Sequence, residues 1–138
     1  MSQSHEFNFP PVDMHRIERD GRTYIPDIVR GGYIVLTPEE LVRRHAIAYL
    51  TGHCGVELRT LMTEYPVDLN GTQQRADIVV SDTSGHPVIL VECKAPDVKI
   101  TGEVFAQAVR YNSVLQARYI ILTNGVKHYC TVRPGQRP

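Results

Sequence analysis

The sequence lacks most of the features that would assign a protein to a specialised class. It has no tryptophan, only three scattered cysteines with no CxxC spacing, and no apolar run near the ~18 residues that a membrane span needs. Fifteen basic residues balance fifteen acidic ones, so no positive excess favours tight non-specific binding to DNA. The first residues, MSQSHEFNFPP, show no basic region followed by an apolar run, and we expect no signal peptide. These absences predict one globular domain with reduced thiols, in the cytoplasm and away from membranes.

The first half of the chain predicts short strands followed by a helix. Residues 14–36 combine glycine-containing turn signals with short apolar runs, which is typical of short strands or a hairpin. The segment TPEE at 37–40 is typical of a helix start, because the threonine can cap, the proline suits the first position and the second glutamate completes a capping box. Apolar residues at helical spacing continue to Gly52 or Gly55, and a second short amphipathic segment is predicted over 56–62.

The second half predicts a sheet with two central strands. RADIVVSD and PVILVECK are apolar on both faces, a pattern typical of strands that are covered on both sides. Residues 101–117 have apolar residues at spacings of three and four, which predicts a helix. Further strands are predicted over 64–69, 118–123 and, at the edge, 126–132. The order β-β-α-β-β-β-α-β-β indicates a mixed α/β domain. We divide the chain into an N-terminal extension of short strands packed on the core (1–36), a main domain (37–132) and a tail (133–138).

A buried strand that ends in charged residues is the most informative part of the sequence. Residues 88–96 read VILVECKAP, so an apolar run leads directly into Glu92 and Lys94. An ionised group removed from water costs several kcal/mol unless it is paired, hydrogen-bonded or bound to a metal. If the loop TSGH joins this strand to RADIVV, Asp77 lies opposite Glu92, and alternation along the strand puts Lys94 on the same face. Cys93 then points to the other face, into the core.

Two carboxylates and a lysine on one face have two interpretations. In the first, Asp77 and Glu92 hold Mg²⁺, which favours one or two carboxylates, waters and a phosphate oxygen, while Lys94 orients or activates a water or stabilises charge on the phosphate. In the second, the lysine forms a buried ion pair that closes the hairpin. A one-residue shift of the loop would also put the two acids on opposite faces. The spacing alone leaves both interpretations open.

The ordered set of motifs resembles the PD-(D/E)XK nuclease superfamily. ADIVV, a short turn and ILVECK match its signature, with Asp77, Glu92 and Lys94 as the defining residues and Ala76 in place of the usual proline. Over about residues 8–132 the chain is similar to the N-terminal nuclease domain of type I restriction enzyme R subunits, in its compact stand-alone form. The resemblance implies a restriction-endonuclease-like three-layer core with a central mixed β-sheet flanked by helices.

The resemblance also implies site residues on the two helices. Gln107 and Tyr111 match a Q-x-x-x-Y motif, and their spacing puts both on one helix face, where they would reach the scissile strand or the lysine. The alternative is that Tyr111 is a core residue and Gln107 a surface amide. The first helix of this fold often contributes an acid to the site, and Glu40 or Glu39 is the matching position. Glu40 has a competing role in the capping box.

Three more charged residues are candidates because of their position. Glu64 begins the strand before the hairpin and is a second candidate for the additional acid. Arg75 and Lys99 flank the expected cleft and are predicted to contact nucleic-acid phosphates, although each alone is typical of a solvated charge. The pairs His53-Cys54 and His128-x-Cys130 lack the spacing of structural zinc sites. A thiol nucleophile would need Cys93 on the polar face, which alternation disfavours.

The resemblance implies an endonuclease that uses Mg²⁺, with Mn²⁺ as a substitute, to hydrolyse DNA phosphodiester bonds in restriction or DNA processing. The alternative is a non-catalytic module of the same fold that binds nucleic acid or assembles with other proteins. The sequence has no P-loop, so ATP-driven translocation would come from another chain. The expected partners are therefore DNA and motor or specificity subunits on other chains, with a homodimer as a further expectation.

Overall fold

The structure is a computed structural model that describes residues 7–133, which contain two α-helices and two β-sheets. The smaller sheet is antiparallel, and its strands in spatial order are β1 (Ile17–Arg19), β2 (Arg22–Pro26) and β3 (Tyr33–Val35). The larger sheet has five strands, in spatial order β4 (Leu61–Leu69), β5 (Thr72–Ser81), β6 (Pro87–Cys93), β7 (Tyr119–Thr123) and β8 (His128–Val132). The helices are α1 (Pro38–Gly52) and α2 (Gly102–Leu115). The first six residues of the predicted extension and the predicted tail after residue 133 lie outside the described residues.

The larger sheet is mixed and lies between the two helices, which confirms the predicted fold class. Its neighbouring strands are antiparallel except for β6 and β7, whose parallel pairing requires a crossover that α2 and its flanking loops provide. Successive residues of β6 pack toward different helices, since Val91 clusters with side chains of α1 and Leu90 with side chains of α2. The domain therefore has three layers, and β5 and β6 occupy the interior positions that their apolar pattern predicted.

The register of the β5–β6 hairpin agrees with the prediction along the strands and differs at the turn. Ile78 pairs with Val91, as the predicted alignment of the two acids requires. At the turn a β-bulge shifts the register by one residue, so Ser81 pairs with Pro87. The carboxylate of Asp82 accepts hydrogen bonds from two backbone N–H groups of this turn, and these bonds favour the tighter loop.

The two helices begin at threonine caps. The side chain of Thr37 accepts a hydrogen bond of 3.1 Å from the backbone N–H of Glu40, and α1 ends at Gly52. Thr101 caps α2, which ends at Leu115 and is followed by the left-handed residue Gln116. Neither α-helix in the described part of the chain is both long and apolar enough to cross a membrane.

Two regions differ from the predicted element order. Residues 14–36 contain three strands, one more than the predicted order has. The segment 56–62, predicted as a second short amphipathic segment, contains only a 3-10 turn at Leu58–Thr60, and β4 begins at Leu61 rather than at residue 64. Leu61 is buried and pairs with a residue of β5, and this sheet pairing outweighs the local helical spacing.

Candidate active site

The predicted acids meet at the end of the β5–β6 hairpin that is remote from its turn, here called the open end. The ladder stops at the pair Ile78 and Val91. Beyond it, the backbone N–H of Asp77 donates a 2.9 Å hydrogen bond to the carboxylate of Glu92, and the backbone N–H of Cys93 donates a 2.7 Å bond to the carboxylate of Asp77. Each strand thus holds the acid of the other through a main-chain donor, so the two carboxylates lie at a fixed place between the strands.

Burial makes this acid pair hold protons more tightly than ordinary carboxyl groups. Glu92 is only 7% exposed, and burial, with the added charge of Asp77, raises its pKa to about 8. Burial also raises the pKa of Asp77 to about 6, although the N–H of Cys93 and the charge of Lys94 act in the opposite direction. The negative charge of Glu39 adds to the rise in both pKa values. A divalent cation would stabilise the ionised pair in place of a proton.

Lys94 directly follows β6, two residues after Glu92. Its backbone N–H bonds to the carbonyl of Thr123, which continues the parallel pairing with β7 by one residue. Its charge lowers the pKa of Asp77 and of Glu92, so it lies near both. Within residues 7–133 its ammonium group forms no ion pair within 4.0 Å and no side-chain hydrogen bond.

Helix α1 presents two neighbouring acids, and they have different partners. The carboxylate of Glu40 is bound by both Nε and Nη2 of Arg43, with 3.0 Å between Nε and the nearer oxygen. Glu39, by contrast, acts electrostatically on Asp77 and Glu92. Of the two positions that match the expected acid of the first helix, Glu40 is therefore held in an ion pair and Glu39 lies toward the acid pair.

Arg43 lies beside the candidate site, and its position was not predicted from the sequence. It is buried, with 5% of its surface exposed, and a second N–H group binds the carboxylate of Glu64 at 2.9 Å. Its positive charge lowers the pKa of Asp77. The available signal was its spacing of four from Glu39, which puts both residues on one face of α1.

Helix α2 carries a chain of polar contacts that ends on β5. Nε2 of Gln107 donates to the hydroxyl of Tyr111 at 2.8 Å, and this hydroxyl donates to the side-chain carbonyl of Gln74 at 3.4 Å. Arg110 binds the other end of the Gln107 amide at 2.9 Å. Gln107 and Tyr111 are thus joined to β5, the strand that carries Asp77. In the described chain no hydrogen bond joins either residue to Lys94. Tyr111 is also buried in a core cluster, so the core interpretation describes part of its role.

The two predicted phosphate contacts remain largely in solvent. The side chain of Arg75 is 72% exposed, and its nearest carboxylate oxygen, on Glu64, is 3.8 Å away. Lys99 is exposed in the loop between β6 and α2. Both positive charges are therefore accessible to a polyanion.

The cysteines and histidines build no separate site in the described chain. All three cysteines are free, and burial raises the pKa of the Cys93 thiol, which disfavours a thiolate nucleophile. His53 stacks on a tyrosine at 5.4 Å between ring centroids, and His128 is hydrogen-bonded to Thr123. Within residues 7–133 no group of three or more histidines, cysteines, aspartates or glutamates is arranged to hold a metal ion.

Comparisons with known proteins identify the family. No curated protein matches this chain. A solved structure described as "Crystal structure of SSO0001" aligns with a TM-score of 0.41 and 16% identity, over 70% of this chain and 52% of that one. This chain thus spans about half the length of that structure, and a likeness at this level carries no argument about function. Residues 38–137 match the family described as type I restriction enzyme R protein N terminus. Because this match covers most of the sequence, the chain belongs to the family of type I restriction enzyme R protein N termini.

Proposed function

We propose that this protein is a metal-dependent nuclease that hydrolyses DNA phosphodiester bonds at the open end of the β5–β6 hairpin. The observation that carries the proposal is the pair of the half-buried Asp77 and the buried Glu92, each bound by a main-chain N–H of the opposite strand. Buried ionised carboxylates are costly unless something compensates their charge. A structural role does not require two of them side by side, next to a lysine that forms no ion pair within the described residues.

The donor set fits one hard divalent cation. Mg²⁺ binds through one or two carboxylates and keeps several of its waters, so Asp77 and Glu92 would be sufficient protein ligands. Mn²⁺ is expected to substitute for it. When bound, the ion would act as a Lewis acid toward the phosphate and would lower the pKa of a water molecule.

The protein's own charges would act around that ion. Lys94 would hold the attacking water by a hydrogen bond and would balance the negative charge that develops on the phosphate. Glu39 would be the additional acid of α1, because its charge acts on both site acids, whereas Glu40 is bound by Arg43.

The remaining predicted residues would bind and orient the DNA strand. Gln107 uses one of its two N–H groups on Tyr111, which leaves the other for a phosphate or a base. The contact between Tyr111 and Gln74 would keep this helix face at a fixed distance from β5. Arg75 and Lys99 would contact phosphates on either side of the cleavage position, since both charges are exposed.

The family indicates the biological setting. A type I restriction enzyme module would act on DNA together with motor and specificity subunits, and this sequence contains no P-loop of its own. The balanced net charge agrees with DNA targeting by such partners. A homodimer and a cytoplasmic location stay predictions.

The direct test is cleavage of supercoiled plasmid and of single-stranded DNA with Mg²⁺ or Mn²⁺. We expect cleavage by the native protein only with metal, and a rate about 10² to 10³-fold lower for Lys94→Ala, the usual effect of removing one charge-stabilising donor. Arg59→Ala is the matched control, because Arg59 is an exposed positive residue beside the turn of the hairpin, at the end opposite to the acid pair. If the native protein cleaves neither DNA and no metal raises its melting temperature, the non-catalytic module is the better interpretation.

A further inference from the structure

One position interrupts the pairing of β4 with β5, and it lies opposite a site acid. Thr63 pairs with Ile78 and Tyr65 pairs with Ala76, so the register is the same on both sides of the interruption. Glu64 lies between these pairs, at the position facing Asp77, and has a left-handed backbone with a φ of 54°. That conformation is uncommon for a residue with a side chain, and in the middle of a strand it requires a reason.

The left-handed residue reverses the alternation of the strands. Ala76 packs in the core cluster on the α2 side, whereas Ile78 packs in the cluster on the α1 side. In a regular strand two residues this far apart face the same side. The same change occurs on β4 between Leu61 and Tyr65. Asp77 is therefore outside the ladder with β4, and the ladder with β6 has also ended there.

The side chain of Glu64 joins this interruption to α1. Its carboxylate accepts a 2.9 Å hydrogen bond from Nη1 of Arg43, a buried residue that also binds Glu40. Arg43 lies one turn after Glu39 on α1 and is near enough to Asp77 for its charge to lower the pKa of that carboxyl. The ion pair between Arg43 and Glu64 thus fixes the first turns of α1 against β4 at the position that faces Asp77.

We propose that Glu64 and Arg43 are positioning residues of the acid site. The left-handed backbone of Glu64 opens the sheet around Asp77, and its ion pair with Arg43 holds α1, and with it Glu39, beside the opening. Neither residue needs to touch the metal or the substrate. The inference rests on the proposed function, because it assigns the parts that build the divalent-ion site.

Four substitutions distinguish the effect of the left-handed backbone of Glu64 from the effect of its ion pair with Arg43. Glu64→Gln keeps the shape and removes the charge, and Glu64→Gly removes the carboxylate while it favours the left-handed backbone. Glu64→Val removes the carboxylate and disfavours that backbone. Arg43→Lys keeps the positive charge and loses the forked geometry that binds two carboxylates. Glu57→Gln is the matched control, since it removes an exposed glutamate–arginine pair with a 3.1 Å contact away from the site.

The measurement is Mn²⁺ affinity by titration calorimetry, together with the melting temperature of each variant without metal. We expect Glu64→Gln, Glu64→Gly and Arg43→Lys to bind Mn²⁺ about 10- to 100-fold more weakly than the native protein, as for residues that orient metal ligands. Glu64→Val is expected to bind more weakly still, and Glu57→Gln to bind like the native protein. Because one ion pair is involved, Glu64→Gln combined with Arg43→Lys should be about as weak as either single variant.

The outcomes separate this inference from the proposed function. Native affinity in folded Glu64→Gln and Arg43→Lys would overturn the positioning roles and leave the nuclease proposal intact. A loss in Glu64→Gln with native affinity in Arg43→Lys would make Glu64 a direct ligand and would also overturn them. Equal affinities for Glu64→Val and Glu64→Gln would overturn the role of the backbone. If the native protein binds no Mn²⁺, the proposed function and this inference both fail. Should a Glu64 variant not fold, Arg43→Lys decides alone.

Discussion

The two ends of the β5–β6 hairpin hold carboxylates by the same kind of hydrogen bond, with opposite results. At the turn, the carboxylate of Asp82 accepts hydrogen bonds of 2.9 Å from the backbone N–H groups of His86 and Ser84. These bonds lower the pKa of Asp82, which lies in an exposed turn. At the open end, Asp77 and Glu92 also accept backbone N–H groups, yet burial raises both pKa values. A main-chain donor therefore does not by itself decide the pKa of a carboxyl group. Burial raises the pKa of Asp77 and of Glu92, and for Glu92 the charge of the neighbouring carboxylate adds to the rise.

The largest expected effect is the difference in DNA cleavage rate between two variants that each replace one carboxylate of the hairpin by its uncharged amide. Glu92→Gln should reduce metal-dependent DNA cleavage by at least about 100-fold, since the Lewis-acid contribution of a bound ion is worth several kcal/mol. Asp82→Asn, on the same hairpin, should cleave at the native rate. Initial rates at saturating metal measure both. Equal losses in the two variants would mean that the carboxylates stabilise the hairpin and nothing more.

The second effect concerns stability without metal as a function of pH. A carboxyl whose pKa is raised on folding binds its proton more tightly in the folded state, so its contribution is present at low pH and is lost as pH rises. For Glu92 the loss extends from its ordinary pKa of 4.5 to about 8. We expect the melting temperature in chelator to fall by several degrees between pH 5 and pH 8, at roughly 2–8 °C for each kcal/mol.

Two comparisons sharpen the pH result. Glu92→Gln should remove most of the fall, and Mg²⁺ at about 100 times its Kd should restore about 2.7 kcal/mol of stability at pH 8. Asp82→Asn should leave the fall unchanged, because the pKa of Asp82 is lowered and its contribution is lost only when pH falls toward 3.8 and below. A melting temperature that rises from pH 5 to pH 8 would contradict the assignment of raised pKa values to the open end.

The smallest effect tests whether the open end extends to α2. Tyr111→Phe keeps the ring in the core and removes the hydroxyl that bonds Gln107 and Gln74. A bond of this kind is worth about 1 kcal/mol, so we expect about a fivefold lower cleavage rate and a melting temperature lower by roughly 2–8 °C. Tyr129→Phe is the control, because Tyr129 is exposed on β8. An unchanged rate in Tyr111→Phe would restrict the site to the hairpin and α1.

Much of the fold was predictable because apolar patterning determines it. The two-sided apolar runs predicted the central strands, and their alignment predicted the pairing of Ile78 with Val91. The capping threonine predicted the start of α1. The prediction failed for residues 56–62, where pairing with a distant strand overrides a short helical pattern. Local sequence does not contain that pairing partner.

Within the candidate site, the sequence predicted that Asp77 and Glu92 lie side by side, because their positions follow from strand pairing. The spacing of Asp77, Glu92 and Lys94 follows from two adjacent strands, so the sequence contains the information that brings them together. Which of the two acids at the start of α1 faces the strands depends on how the helix docks, and no local pattern determines that. The left-handed backbone at position 64 was not predictable, because the residue there is a glutamate and not a glycine. The surrounding contacts, and not the residue type, impose that conformation.

The parallel pairing of β6 with β7 also sets the order in which parts of this sheet can close. Asp77 and Glu92 are 15 residues apart along the chain, whereas β6 meets β7 only across the α2 crossover, as in the pair Cys93 and Thr123. Each doubling of a loop costs about 0.6 kcal/mol of closure entropy, so the hairpin is the easier contact to form. We therefore expect the two acids to meet while they are still hydrated and ionised, and to take up protons or a cation only when the helices pack over them.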